Sequence, residues 1–182
     1  MKLLTLTWGI FLTTAAAAYG QGGAITLSSD PAGTSCNLAD RNAGLCSIYV
    51  VHIEGSGVTG AQFSARAPAC FTATWLSDTA VFPVILGDSQ SGVSVAYGGC
   101  MSSPVHILTI TFLCQGLTAE CCPYRVLPHP GSTSGEIEVS DCNFTVLYAA
   151  GGRAVINGNP GCPCGYGAEA STWGKVKTLY RE

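Results

Sequence analysis

Between positions 24 and 156 the chain is built from short apolar or β-branched runs. Clusters of Gly, Pro, Asn, Asp and Ser separate them. A run followed by a turn about every ten residues predicts strands joined by tight connections, with no long helical period. Strands are expected at 24–27, 47–53, 60–67, 71–76, 81–86, 92–97, 105–113, 124–128, 135–139, 145–149 and 153–156. Alternation marks several as half-buried. Ala61, Phe63 and Ala65 oppose Gln62, Ser64 and Arg66; Leu108, Ile110 and Phe112 oppose Thr109 and Thr111; Ile137 and Val139 oppose Glu136 and Glu138. The runs 47–53 and 81–86 are apolar on both faces, as a central strand would be. The fold expected is all-β, an antiparallel sandwich with enough apolar residues to bury a core.

The two ends read differently. Residues 1–20 carry one basic residue, Lys2, then an apolar stretch from Leu3 to Ala18 and small residues at the −3 and −1 positions, the pattern of a cleavable signal peptide. The stretch is shorter than the ~20 apolar residues of a spanning helix and is broken by four threonines, so cleavage is favoured over a membrane anchor. No later stretch is apolar enough to span, and the expected location is extracellular or in the cell envelope. The sandwich occupies 21–156, a Gly/Pro/Cys-rich linker 157–170, and a short tail 171–182. In the tail Ser171 is a plausible N-cap, and Trp173, Val176 and Tyr180 fall on one face at helical spacing, which makes a short amphipathic helix that could dock on a partner.

Cysteine usage sharpens the picture. All ten lie beyond the signal: Cys36, Cys46, Cys70, Cys100, Cys114, Cys121, Cys122, Cys142, Cys162 and Cys164. An even count after a signal peptide predicts a disulfide framework in an oxidising compartment. Sequence leaves the connectivity open. Local geometry suggests Cys36 with Cys46 across a turn-rich loop and Cys70 with Cys100 across a hairpin. The neighbours Cys121 and Cys122 should take different partners among Cys114, Cys142, Cys162 and Cys164. Charged residues make up only 10% of the chain and the net charge is −3. Without a basic run, nucleic-acid binding is excluded.

The run 47–68 (SIYVVHIEGSGVTGAQFSARAP), followed by 92–112 (GVSVAYGGCMSSPVHILTITF), resembles the cohesin-like family of bacterial extracellular β-sandwiches, which share the immunoglobulin-like architecture. Gly60, Gln62, Phe63, Leu108 and Phe112 carry the resemblance. It implies the sandwich fold and no particular binding residue, and the cysteine density departs from the cohesin pattern. The closing Ser171–Arg181 run (STWGKVKTLYR) is similar to short Trp-Gly-Lys tails of secreted bacterial proteins, which implies a sorting or docking element and a bacterial source.

Each chemical constellation has a plainer reading. Gly87-Asp88-Ser89 before Gly92 is close to a serine-protease motif, but Gln90 and Ser91 intervene, no histidine has the required context, and a solvated hairpin turn is expected. The later cysteines with His129 have zinc-ligand chemistry, yet Cys162-Pro163-Cys164 has one spacer residue where zinc sites have two or more, so disulfides are expected. Glu136 and Glu138 point the same way, which suits a solvent-facing strand better than a glycosidase pair or, with Asp141, a hard-cation site. His52, His106 and His129 are dispersed. Trp75, Tyr97, Tyr124 and Tyr148 are candidates for a sugar-stacking platform or for core packing. Asn143-Phe144-Thr145 is a glycosylation sequon. The residues therefore point to a secreted, non-enzymatic binding or structural module, with no cofactor or metal and a protein or carbohydrate surface as partner. A carbohydrate-binding module is the alternative. A disulfide-rich inhibitor using an exposed loop such as 128–135, or a small secreted hydrolase, are further ones.

Overall fold

The computed structural model describes residues 22–162 and 164. The strands are β1 (Ala24–Ser28), β2 (Asn37–Leu38), β3 (Ala43–Ile53), β4 (Val58–Phe63), β5 (Ala73–Ala80), β6 (Val84–Asp88), β7 (Gly92–Met101), β8 (Val105–Gln115), β9 (Cys122–Arg125), β10 (Ile137–Asp141), β11 (Val146–Gly151) and β12 (Arg153–Ile156). Among the described residues there is no helix. The short helix expected over 171–182, with Trp173, Val176 and Tyr180, lies outside the described residues, as does the signal segment.

Nine strands form one hydrogen-bonded succession, β5-β8-β3-β1-β11-β10-β4-β7-β6, that folds over on itself at β1. β1 pairs antiparallel with β3 along its whole length and parallel with β11 through Ala24–Ala150 and Ile25–Gly151. One strand thereby belongs to both layers of the sandwich, which explains why all five of its residues are buried. Close approach at this seam requires Gly152: a Cβ there would lie 2.4 Å from Thr26 Oγ1. β2, β12 and β9 form a small sheet across one end. β2 is two residues long, too short to carry any sequence period, and was not anticipated.

The core lies between the layers. Leu27, Val50, Leu108, Ile110 and Phe112 from one meet Phe63, Val93, Val95, Ile137 and Val139 from the other. Alternation along β4, β8 and β10 puts the expected residues inside. Ile107 is buried beside Leu108 because the β3–β8 register shifts at Val50/Val51, and a bulge turns two successive residues inward. Phe71, Phe112 and Tyr124 close the β9 end, with ring centroids 4.9 to 6.4 Å apart; the Tyr124 hydroxyl donates to the Ala65 carbonyl at 2.7 Å. Three such rings supply large apolar area and edge-to-face contact together.

At the other margin of the sandwich β5 and β6 are both edges, and polar contacts latch them. Asp78 of β5 accepts from the Ser89 backbone N–H, from Ser89 Oγ at 2.9 Å and from Trp75 Nε1 at 3.1 Å. The β6 position corrects one expectation. The run 81–86 ends in an edge strand, where Val81, Val84 and Leu86 are 54%, 54% and 70% exposed while Phe82 and Ile85 pack against the core.

The disulfides join Cys36–Cys164, Cys46–Cys114, Cys70–Cys122, Cys100–Cys142 and Cys121–Cys162, with Cα separations of 5.2 to 6.1 Å. The expected pairs Cys36–Cys46 and Cys70–Cys100 are overturned. Cys46 lies within β3 and faces its sheet neighbour β8, which carries Cys114; Cys100 lies at the end of β7 remote from Cys70 and meets the β10–β11 hairpin instead. Cys121 and Cys122 do take different partners, but Cys70, the partner of Cys122, precedes all the candidates considered for it. Proximity in sequence misled because the sheet order is non-sequential.

Candidate binding groove

The outer face of the second layer holds a groove of about 610 Å³. Its construction is read directly from strand register. One cross-strand row runs Tyr148–Glu138–Gln62–Ser94–Leu86 from β11 to β6. The next runs Val146–Ser140–Gly60–Ala96–Val84. Residues opposite one another in an antiparallel pair share a face. Each row therefore has small or polar residues at its centre and apolar ones at its ends. The floor is low and the two margins are raised. Gly60 cannot be enlarged without movement, because a Cβ there would sit 2.8 Å from the Val95 carbonyl oxygen.

One wall is Val84 and Leu86; the other is Val146 with Phe144, which is 80% exposed at the β10–β11 turn with φ of 61°. Asp141 Oδ1 holds that turn by accepting the N–H groups of Asn143 and Thr145, both at 2.8 Å. The Cys100–Cys142 bridge ties the turn to the end of β7. An exposed phenylalanine is thus presented by a braced turn rather than a loose one. Five strands at about 4.8 Å spacing put roughly 19 Å between the walls, room for one helix of 10–12 Å diameter or for one extended segment.

The charge inside the groove is Glu138. Its Oε1 accepts from Ser132 Oγ at 3.1 Å and from Ser134 Oγ at 2.7 Å. Its Oε2 takes no hydrogen bond among the described residues and remains available to a donor from outside. The remaining lining is uncharged.

Other sequence candidates are dispersed. Tyr97 and Tyr124 are buried in the core, and burial raises both phenol pKa values; Trp75 and Tyr148 are exposed but lie on different layers. The four rings do not form one platform. His52 is fully buried, donating from Nε2 to the Gly22 carbonyl at 2.6 Å, with the Tyr97 hydroxyl 3.4 Å from Nδ1; burial lowers its pKa. His106 is half-buried against Tyr49 and its pKa is lowered for the same reason. His129 lies over Gly92. The cysteines weighed as zinc ligands are all bound in disulfides, and among the described residues no group of three or more His, Cys, Asp or Glu converges as a metal site. Glu138 and Asp141 serve different turns. Asp88 caps the Gly87–Gly92 hairpin by accepting from Gln90 N, Ser91 N and Ser91 Oγ, which lowers its pKa. Ser89, the would-be nucleophile, is fully buried and held by Asp78. The exposed loop 128–135 folds back through Ser132 and Ser134 onto Glu138, and so belongs to the groove's surroundings.

Sequence reasoning missed the groove walls. A usable signal was present: the apolar run 81–86 beside the turn at 87–92, and an aromatic residue in the polar turn 141–145.

No family model matches the chain, and no curated protein matches it. Among solved structures it is similar to cohesins. One is the sixth cohesin of scaffoldin B from Acetivibrio cellulolyticus, solved in complex with a Cel5 dockerin. Identity is 16% over 76% of this chain and 99% of that one, with a TM-score of 0.49. A second is a cohesin module from the family 33 glycoside hydrolase of Clostridium perfringens, at 6% identity, 78% and 98% coverage and a TM-score of 0.49. A third is a non-cellulosomal cohesin from the archaeon Archaeoglobus fulgidus, at 10%, 87% and 98%, with a TM-score of 0.41.

Proposed function

We propose that this chain is a secreted, non-enzymatic binding module of the extracellular space or cell envelope, and that it holds another protein through the groove on β11-β10-β4-β7-β6. The observation that carries this reading is the pair of exposed apolar walls, Val84 and Leu86 facing Phe144 and Val146, across a floor of Gly60, Ser140 and Ala96. Apolar surface gathered on a concave, braced site is surface kept for a partner. The occupant is a protein segment with apolar side chains spaced to reach both walls and a Lys or Arg placed for Glu138. The carboxylate with one free oxygen and the negative charge of the chain favour a basic segment over an acidic one. Division of the chain into signal (1–20), sandwich (21–156), linker (157–170) and tail (171–182) suits this role, with Trp173, Val176 and Tyr180 as a second docking element.

A photo-cross-linking residue at position 86 tests the site, with the same residue at Thr79 on the opposite layer as control. Applied in the medium of the source organism, the probe at 86 should give a protein adduct whose cross-linked segment is apolar and basic, lost when Phe144→Asp is added. Equal labelling from both positions, or adducts to glycans alone, would refute the groove as a protein site.

A further inference from the structure

The described part of the chain holds four arginines and no lysine. Two of the four, Arg125 of β9 and Arg153 of β12, are directly opposite in the small end sheet. The bond from the Val126 N–H to the Gly152 carbonyl marks them as a non-hydrogen-bonded pair. This is the closer of the two antiparallel arrangements, with Cα atoms about 4.5 Å apart. Their sequence neighbours Tyr124 and Ala154 are fully buried, so both arginine side chains leave the outer face of the ladder, Arg125 exposed and Arg153 half-buried. Just beyond β9, Ser64 and Leu127 exchange two backbone hydrogen bonds of 2.8 Å in an isolated bridge, and the exposed Arg66 follows two residues after Ser64.

Nothing in the fold accounts for this arrangement. Like charges directly opposite on a ladder oppose folding. The Arg153 Nε is buried and has no hydrogen-bond partner among the described residues. Nor do the carboxylates among the described residues pair with them: Asp30, Asp40, Asp78, Asp88, Asp141 and Glu138 accept from backbone N–H, hydroxyl or indole donors, Glu120 accepts from Asn159, and Glu54 and Glu136 take no donor from an arginine. A position where local rules are broken without internal compensation is where a ligand is expected. We propose that Arg125 and Arg153, flanked by Arg66, bind the carboxylates of an acidic polysaccharide, a polyuronate. Guanidinium groups match carboxylates through paired N–H donors, a fit that a lysine would not give. The row runs across the strands, at a step of about 4.5–5.5 Å, close to the advance of one pyranose unit in an extended polysaccharide. Same-side side chains of an extended peptide recur at about 6.8 Å instead. None of the three arginines lines the groove. A module with both sites holds a protein at one face and an acidic matrix at its end.

Calorimetric titration of the oxidised, full-length secreted chain with polygalacturonate tests the site, with dextran, poly-glutamate and inorganic phosphate as comparators. Polygalacturonate should bind and dextran should not. The double variant Arg125→Gln/Arg153→Gln should weaken binding at least about tenfold, and the slope of log K against log salt should drop by about one per arginine removed. Thr79→Ala, at an exposed position of β5, should leave binding unchanged. Arg153→Gln alone should keep or raise the melting temperature, so that lost binding is not lost folding. Absence of polygalacturonate binding, or an unaltered affinity in the double variant, would overturn the proposal. Poly-glutamate or phosphate binding as tightly per carboxylate or anion would overturn the polysaccharide assignment.

Discussion

Consider the replacement of Cys36 and Cys164 by alanine. Their Cα atoms are 5.6 Å apart and their sequence separation is 128 residues. Taken alone, a loop of that length removes about 5 kcal/mol of unfolded-state entropy in the chain-entropy account. The other bridges shorten it. Cys164 is two residues from Cys162, which is tied to Cys121; Cys121 is seven residues from Cys114, which is tied to Cys46; and Cys46 is ten residues from Cys36. The loop newly closed by Cys36–Cys164 is therefore about 20 residues, and the expected loss falls to about 3 kcal/mol. Set against the 5–15 kcal/mol typical of a domain, that is a large change for a single bridge. Urea unfolding of the oxidised double variant, followed by tryptophan fluorescence, measures it. A loss below about 1 kcal/mol would refute the topological argument. The single variant Cys36→Ala gives an independent check, because alkylation followed by mass spectrometry should find the orphaned thiol at Cys164. A thiol at Cys46 would restore the local hairpin pairing and refute the connectivity.

Three further outcomes are expected. Phe63, fully buried between the layers, should cost about 3–5 kcal/mol on replacement by alanine, measured by the same unfolding assay, with a loss under about 1 kcal/mol contradicting its place in the core. His52 is kept neutral by burial, so its folded pKa lies below its unfolded one; stability should be full above about pH 6.5 and decline as pH falls below it, before the carboxylates titrate. Urea midpoints from pH 8 to 5 read this decline, and His52→Gln should flatten it; an unchanged slope in the variant would assign the effect elsewhere. Asp78→Ala removes the acceptor for Ser89 and Trp75 at the open margin and should cost about 1–3 kcal/mol through the unpaired Ser89 groups, with faster amide exchange at Ser89; unaltered exchange there would show that the latch does not hold the two edges together.

Much of the strand content was legible in sequence because period-2 alternation is a local property. Phe63 and Ile110 fall inside whichever strands lie beside them. The sandwich class followed from the number and spacing of such runs, and five bridges require no more than an even set of thiols in contact. What a local pattern does not contain is adjacency. Cys46 found Cys114, and not Cys36, because β3 lies against β8, 68 residues away along the bridge. The same holds for the candidate site. The run 81–86 has the same apolar character whether it is a central strand or a groove wall, and only its pairing on β7 put Val84 and Leu86 on the uncovered outer face. Phe144 gained meaning once the register of β10 on β4 and of β4 on β7 put it across from them. Arg125 and Arg153 are 28 residues apart in sequence, and their opposition exists only in the β9–β12 ladder. Sequence determined which residues face inward and which compartment chemistry to expect. Tertiary structure decided which outward faces meet, because strand order depends on pairings across the whole chain.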